Sequence, residues 1–264
     1  LIVNPVQYNP VTGELRIFEQ LDLAVRDAGG TGLNEQVIEP VSLTPGFKKL
    51  YSSLVNFEHS ALDDLPVMPG NQLIICQNDP TVISYVNTLA TWRKKKGIDA
   101  TIVTTATTGS TPSLIRNYIN TQYTNSNGQL EFVLVIGDAD GTGAYYFPTD
   151  GLSEYPYGEL DNLYGLMGAG PNPDPLPDLG IGRLPASDAD ELVAMVTKSV
   201  NYEANPFMTD TTWFTRTWTA VHNQFIPSNP STKEYTRQMM LQRGMNPGAM
   251  TIFPSSVVPS VLEQ

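Results

Sequence analysis

The run Gln72-Leu73-Ile74-Ile75-Cys76-Gln77-Asn78-Asp79-Pro80 decides the fold class. Its first five residues form a short apolar strand. Asp79 and Pro80 then supply a helix N-cap and a first-turn proline. Val82, Val86, Leu89 and Ala90 follow on one helical face, and Gly97 ends that helix. Ala100-Thr101-Ile102-Val103-Thr104 reads as the next strand, and Thr111-Pro112 opens a second helix carrying Leu114, Ile115, Tyr118 and Ile119. Phe132-Val133-Leu134-Val135-Ile136 is a third strand, too uniformly apolar to face water on either side. Strands alternating with helices through short connections predict an α/β fold with a doubly wound, mainly parallel sheet.

Outward from that centre the pattern changes. Leu1-Ile2-Val3, a turn cluster over 8–13 and the alternating stretch Glu14–Arg26 predict an N-terminal β-hairpin, which needs something to lean on. Residues 28–70 are punctuated by Gly and Pro and read as a long wrapping connection. Between Gly137 and Gly182 the alternation breaks, with an expected hairpin arm around Leu160–Gly168 and Leu179–Gly182. It resumes at Ser187-Asp188-Ala189-Asp190-Glu191, a capped helix start followed by Leu192, Met195, Val196 and Val200. A strand through Trp213–Val221, a helix from Asn229-Pro230 to Gly244, a strand at Thr251-Ile252-Phe253 and a helix from Pro259 complete the reading.

Composition narrows the function. With 15 Lys+Arg against 27 Asp+Glu the net charge is −12, the wrong sign for gripping phosphate backbones, so nucleic acid is not expected as a partner. No apolar run is long enough to cross a bilayer as a helix. A single cysteine and two histidines leave nothing for a disulfide framework or a thiolate zinc site. Plentiful Asn, Thr, Ser, Pro and Gly with few lysines points to an exported protein. A chain opening at Leu1 reads as a processed or excised segment.

Chemistry is sparse. The turn Gln77-Asn78-Asp79-Pro80 holds neither a GxGxxG fingerprint nor a P-loop lysine, so no nucleotide cofactor is expected. Asp138 and Asp140, with Asp150 and Asp161, concentrate carboxylates after the third strand. They make calcium a possible ligand through Asp138 and Asp140, although caps over the sheet edge explain them as well. Cys76 and His222 both end strands, which parallel sheets can bring to one edge. Cys76, however, follows Leu-Ile-Ile and lacks the glycine turn of an exposed nucleophile, so a buried inert thiol is the better reading. His59 has no evident partner.

Several segments together resemble the gingipain-type cysteine peptidases, the clostripain-like caspase-fold group labelled C25. They are Trp92-Arg93-Lys94-Lys95-Lys96-Gly97-Ile98, Phe132 through Asp138, Asp161-Asn162-Leu163-Tyr164, Pro177 through Pro185, and Lys198 with Tyr202-Glu203. The opening, Asn4 through Pro10 and on to Arg16-Ile17, is similar to the closing β-segment of that family's prodomain. The resemblance implies a caspase-like sheet and a secreted zymogen at the bacterial cell surface or outside the cell. It implies protein or peptide substrates and no required cofactor.

It divides the chain into residues 1–70, prodomain-like, and 71–264, the N-terminal part of the peptidase domain. The family's dyad, a His in a His-Gly pair and a later strand-ending Cys, is absent from the chain and is expected beyond Gln264. Asn229 and His222 are then the expected substrate-binding positions. Arginine-specific members carry an acid where Asn229 stands, and an asparagine forms no ion pair with a guanidinium. The alternative is a non-catalytic adhesion or scaffold protein that keeps the fold.

Overall fold

From the amino terminus the elements are β1 (Val6–Asn9), β2 (Glu14–Ile17), α1 (Pro45–Tyr51), β3 (Asn71–Cys76), α2 (Pro80–Lys95), β4 (Ala100–Thr104), α3 (Thr105–Thr108), α4 (Pro112–Asn125) and β5 (Leu130–Ile136). They continue with β6 (Gly180–Leu184), α5 (Ala189–Ala204), β7 (Arg216–Thr217), β8 (Ala220–His222), α6 (Ser228–Gln242), β9 (Asn246–Pro247) and β10 (Thr251–Phe253). The computed structural model describes residues 3–24, 29, 40–54, 57–149, 160–167, 177–222, 227–248 and 250–253. The central sheet is mainly parallel, with strand order β4-β3-β5-β6. Contacts divide the chain into two units, Leu1–Gly70 with Pro112–Val133 and Asp150–Ile181, and Asn71–Thr111 with Leu134–Thr149 and Gly182–Gln264.

In the second unit, β3 and β4 run parallel with Gln72 opposite Ala100 and Cys76 opposite Thr104. Asp79 caps α2 by accepting from the N–H groups of Thr81 and Val82, and Pro80 occupies the first turn. Val82, Val86, Leu89 and Ala90 are the buried face of α2, as their spacing predicts. They share a core with Ile74, Cys76, Ile136, Leu192 and Val196. Helix α5 starts with a reciprocal cap: Asp188 accepts from the Glu191 N–H, and Glu191 accepts from the Ser187 N–H at 2.8 Å. Where α2 and α5 meet, Glu203 accepts from Trp92 Nε1 at 2.7 Å, Arg93 Nη1 at 2.9 Å and Lys96 Nζ at 2.8 Å. That cluster supplies a physical reason for the basic run at the end of α2.

The expected single strand over Trp213–Val221 is divided. Residues Thr212–Phe214 form a 3-10 turn because Trp213 Nε1 turns back to the Phe207 carbonyl at 2.7 Å. Strand β7 then pairs with β9, and β8 with β10, both in parallel. The helix predicted from Asn229 begins one residue earlier, at Ser228. The helix expected from Pro259 lies outside the described residues.

In the first unit the hairpin is present but shifted. Val6 pairs with Ile17 and Tyr8 with Leu15, so Tyr8 and Asn9 belong to a strand and not to the turn. The Asn9 carboxamide accepts from Val11 N–H at 3.0 Å, and Gly13 adopts φ +71°. Residues 28–70 are not simply a connection. Thr44 caps α1, Pro45 opens it, and Leu43 bridges to Val67. Helix α4 buries Ile115 and Ile119, while Leu114 is 51% exposed and faces outward.

The expected hairpin arm is not one. Asn162–Gly165 is a 3-10 turn, and Gly180–Leu184 is the edge strand β6 of the central sheet. Its glycines suit that place because a Cβ at Gly180 would come within 3.1 Å of the Phe132 ring.

Candidate functional site

Strand order reverses between β3 and β5, and open α/β sheets bind ligands beyond the carboxyl ends of the strands at such a reversal. Strand β3 brings Cys76 and Gln77 to this edge. The Cys76 side chain stays inside, fully buried, with Sγ 4.0 Å from the Val103 carbonyl oxygen. Burial, with a smaller contribution from the Asp79 charge, pushes its thiol up to about 11. At neutral pH it is a protonated thiol and a poor nucleophile. Gln77 ties the edge to its neighbours. Its Nε2 donates to the Tyr146 carbonyl at 2.7 Å, and its Oε1 accepts from Thr105 Oγ1 at 2.8 Å.

Strand β5 ends at Ile136 and is followed by Gly137, whose φ of +124° and close approach to the Tyr145 carbonyl exclude a side chain, since a Cβ would sit 2.8 Å from that oxygen. Asp138, half-buried, then pairs with Tyr146. Its N–H donates to the Tyr145 carbonyl at 2.8 Å, and its carbonyl accepts from the Phe147 N–H at 2.9 Å. The Asp138 carboxylate accepts from Ser187 Oγ at 3.2 Å. Arg183 fastens the loop from beneath. It donates to the carbonyls of Gly137 at 2.6 Å, Phe147 at 2.9 Å and Pro148 at 3.1 Å.

Asp140 is exposed on this loop. Asp161 belongs to the other unit, and Asp150 lies outside the described residues. Among the described residues no group of three or more His, Cys, Asp or Glu side chains could hold a metal ion. The edge is nevertheless acidic. Burial, and then the charges of Asp79, Asp188 and Asp190 among its neighbours, raise the Tyr145 phenol.

His222 ends β8, half-buried, with Phe253 opposite it. Among the described residues that strand belongs to a two-stranded sheet separate from the one holding Cys76, and no strand pairing joins the two edges. Asn229 is the second residue of α6 and half-buried. His222 and Asn229 flank residues 223–226, which are outside the described set. His59 falls in a 3-10 turn, Phe57–His59.

Arg183 and Glu203 carry structural roles that no reading of the sequence assigned to them. A lone arginine directly after the glycines of β6, and a glutamate in the last turn of α5, 107 positions beyond Lys96, are the signals that could have found them.

Comparison with known proteins follows the same lines. Residues 67–253 match the family model of peptidase family C25. Gingipain R2 of Porphyromonas gingivalis (strain ATCC BAA-308 / W83) is 23% identical over 207 residues, which cover 76% of this chain and 26% of that protein. Lys-gingipain of strain ATCC 33277 of the same organism is 24% identical over 210 residues, 77% of this chain and 11% of that one. Among solved structures, the complex of Porphyromonas gingivalis RgpB pro- and mature domains superposes with a TM-score of 0.58 at 17% identity, covering 73% of this chain and 44% of that chain. The Arg-specific cysteine proteinase gingipain R (RGPB) gives the same TM-score and identity over 73% and 43%. At such identities the structural likeness shows the fold. The chain spans 26% or less of the length of these curated relatives.

Proposed function

Because the chain belongs to peptidase family C25, we propose that it is part of a secreted or cell-surface cysteine endopeptidase of the gingipain type, acting on proteins and peptides. The family match across residues 67–253 carries this reading. The catalytic Cys and His are assigned to residues outside these 264, since Cys76 is buried with its thiol raised to about 11. In the whole enzyme a cysteine thiolate attacks the peptide carbonyl carbon, and the histidine protonates the departing amine. Water then hydrolyses the acyl-enzyme and restores the thiol.

Residues 71–264 supply the sheet that frames this chemistry, and residues 1–70 the end of a propeptide. His222 and Asn229 face the substrate, and Asn229 in place of an acid disfavours cleavage after arginine. No cofactor is needed. Calcium is an optional ligand through Asp138 and Asp140, with backbone carbonyls and water completing the six to eight oxygens that the ion takes.

Two measurements test the assignment. The purified 264-residue chain, given a broad peptide library, is expected to show no cleavage sensitive to a thiol-directed inhibitor. Cleavage abolished by Cys76→Ala would place the nucleophile here instead. An antibody to this chain is expected to deplete a thiol-inhibitor-sensitive peptidase from the surface and secreted fractions of the source organism. Undiminished activity would favour the non-catalytic scaffold reading.

A further inference from the structure

The corner around α1 encloses a cavity of about 280 Å³ within the first unit. Thr44 and Pro45 start the helix, so Phe47 and Tyr51 fall four residues apart on one face. Their rings lie 5.8 Å apart at 36°, and Tyr123 of α4 adds a third ring to the lining. Leu43 and Leu62 extend the apolar wall. Hydroxyl groups are set into it. Ser42, only 4% exposed, lines the cavity, and its hydroxyl has no hydrogen-bond partner among the described residues. The phenol groups of Tyr51 and Tyr123, both half-buried, have none there either. Buried hydroxyls ordinarily find partners, because a hydrogen bond left unmade away from water is costly.

We propose that this cavity is a binding site for a small neutral aromatic alcohol of the phenol class, its ring packed among Phe47, Tyr51, Tyr123 and the two leucines and its hydroxyl paired with that of Ser42. Aromatic walls favour a flat guest ring in offset or edge-to-face contact. A serine hydroxyl both donates and accepts, so it matches another hydroxyl in either sense. An anionic guest would meet no lysine or arginine among the described lining residues. Asp178 also lines the cavity, but its Oδ2 already accepts from the Met167 N–H at 2.7 Å, and the ligand is assigned no contact with it.

Size and protonation agree with this ligand. An enclosed apolar space of about 150 Å³ holds a benzene ring. One near 280 Å³ therefore admits a substituted single ring and is too small for a folded partner. Burial, and then the Asp178 charge, raise the Tyr51 and Tyr123 phenols, the latter to about 12, so both remain O–H donors at neutral pH. Nothing in this inference depends on the peptidase reading, and the peptide-library result leaves it untouched.

The test is isothermal titration of the full 264-residue chain at neutral pH with p-cresol and with toluene, which keeps the methylated ring and lacks the hydroxyl. p-Cresol is expected to saturate one site per chain with a dissociation constant on the order of 0.1–1 mM, and toluene to bind about threefold to tenfold more weakly. Ser42→Ala should weaken p-cresol by a similar factor, about threefold to tenfold, and leave toluene unchanged. Leu62→Trp, which fills the space, should abolish binding of both, each variant being checked for folding by its melting curve. Equal binding of toluene, unchanged p-cresol binding by folded Ser42→Ala, undiminished binding by folded Leu62→Trp, or no saturation by about 10 mM p-cresol overturns the proposal. Should Leu62→Trp fail to fold, Ser42→Ala and the toluene comparison decide.

Discussion

The seam between α2 and α5 and the corner around α1 are built from similar parts. Each brings a carboxylate to aromatic rings. At the seam the chain also supplies the cations. Glu203 meets Trp92, Arg93 and Lys96, and although burial alone would raise its carboxyl, the hydrogen bonds from Lys96, Trp92 and Arg93 hold it down to about 2. At the corner Asp178 lines a cavity of about 280 Å³ together with Phe47, Tyr51 and Tyr123. The difference teaches that the same carboxylate-and-ring combination closes into a clamp when basic side chains fill the space between its parts. At the corner the same combination borders a cavity instead.

The most direct way to break the clamp is from below. Leu89 is 2% exposed beneath the seam, and Leu89→Ala leaves a void that a packed core relaxes into only in part. The expected cost is about 3 kcal/mol, read as a lower denaturant midpoint and a melting point lower by about 6–12 °C. A loss under about 1 kcal/mol would mean that the α2–α5 core is loosely packed there.

Glu203→Gln attacks the clamp's charge at nearly constant shape. It should cost about 1–3 kcal/mol at neutral pH, because Arg93 and Lys96 lose their charged acceptor. The pH dependence has a definite sign. The folded carboxyl titrates near 2, below its ordinary value of 4.5. Its contribution is therefore complete above about 4.5 and is lost as pH falls toward about 2. Denaturation midpoints between those limits should fall in the unaltered protein and change less in Glu203→Gln. Parallel curves would show that Glu203 does not carry the acid response.

The two regions also differ in how much of them the sequence discloses. The seam's helix was legible because Asp79-Pro80 starts it, sixteen residues give its apolar face repeated turns, and Val82, Val86, Leu89 and Ala90 recur on one side. The corner's helix has seven residues, too few for a periodicity, so only Thr44-Pro45 marks it. Its cavity depends on Tyr123 and Asp178, which the fold brings together from distant positions. Gly180 and Gly182 suggest a turn by composition. Both lie in β6; a Cβ at Gly180 would come within 3.1 Å of the Phe132 ring, whereas one at Gly182 would meet Leu134 only at an ordinary contact distance of 3.5 Å. The buried state of Cys76 was legible from the Leu-Ile-Ile run before it, whereas the assignment of His222 to a different sheet depends on pairing that no local pattern announces.

The loop after β5 stands between these extremes, and it yields the smallest expected effect. Its backbone is pinned by Arg183 as firmly as the seam is pinned by Glu203, yet Asp138 and Asp140 bring carboxylates toward solvent without an ion-pair partner among the described residues. A site of two carboxylates completed by carbonyls and water belongs in the weak range, with dissociation constants on the order of 1 mM. At about 5 mM calcium such a site stabilises the folded chain by about 1 kcal/mol, which is about 2–4 °C in melting temperature. The double variant Asp138→Asn, Asp140→Asn should lose that shift while keeping the Ser187 hydrogen bond, because a carboxamide oxygen still accepts. Magnesium is the control, since it demands a tighter octahedron and dehydrates reluctantly. An unchanged melting point, or an equal shift in the double variant, would remove calcium from this loop. The acidic edge would then be a pinned but ligand-free surface, closer in kind to the seam than to the corner.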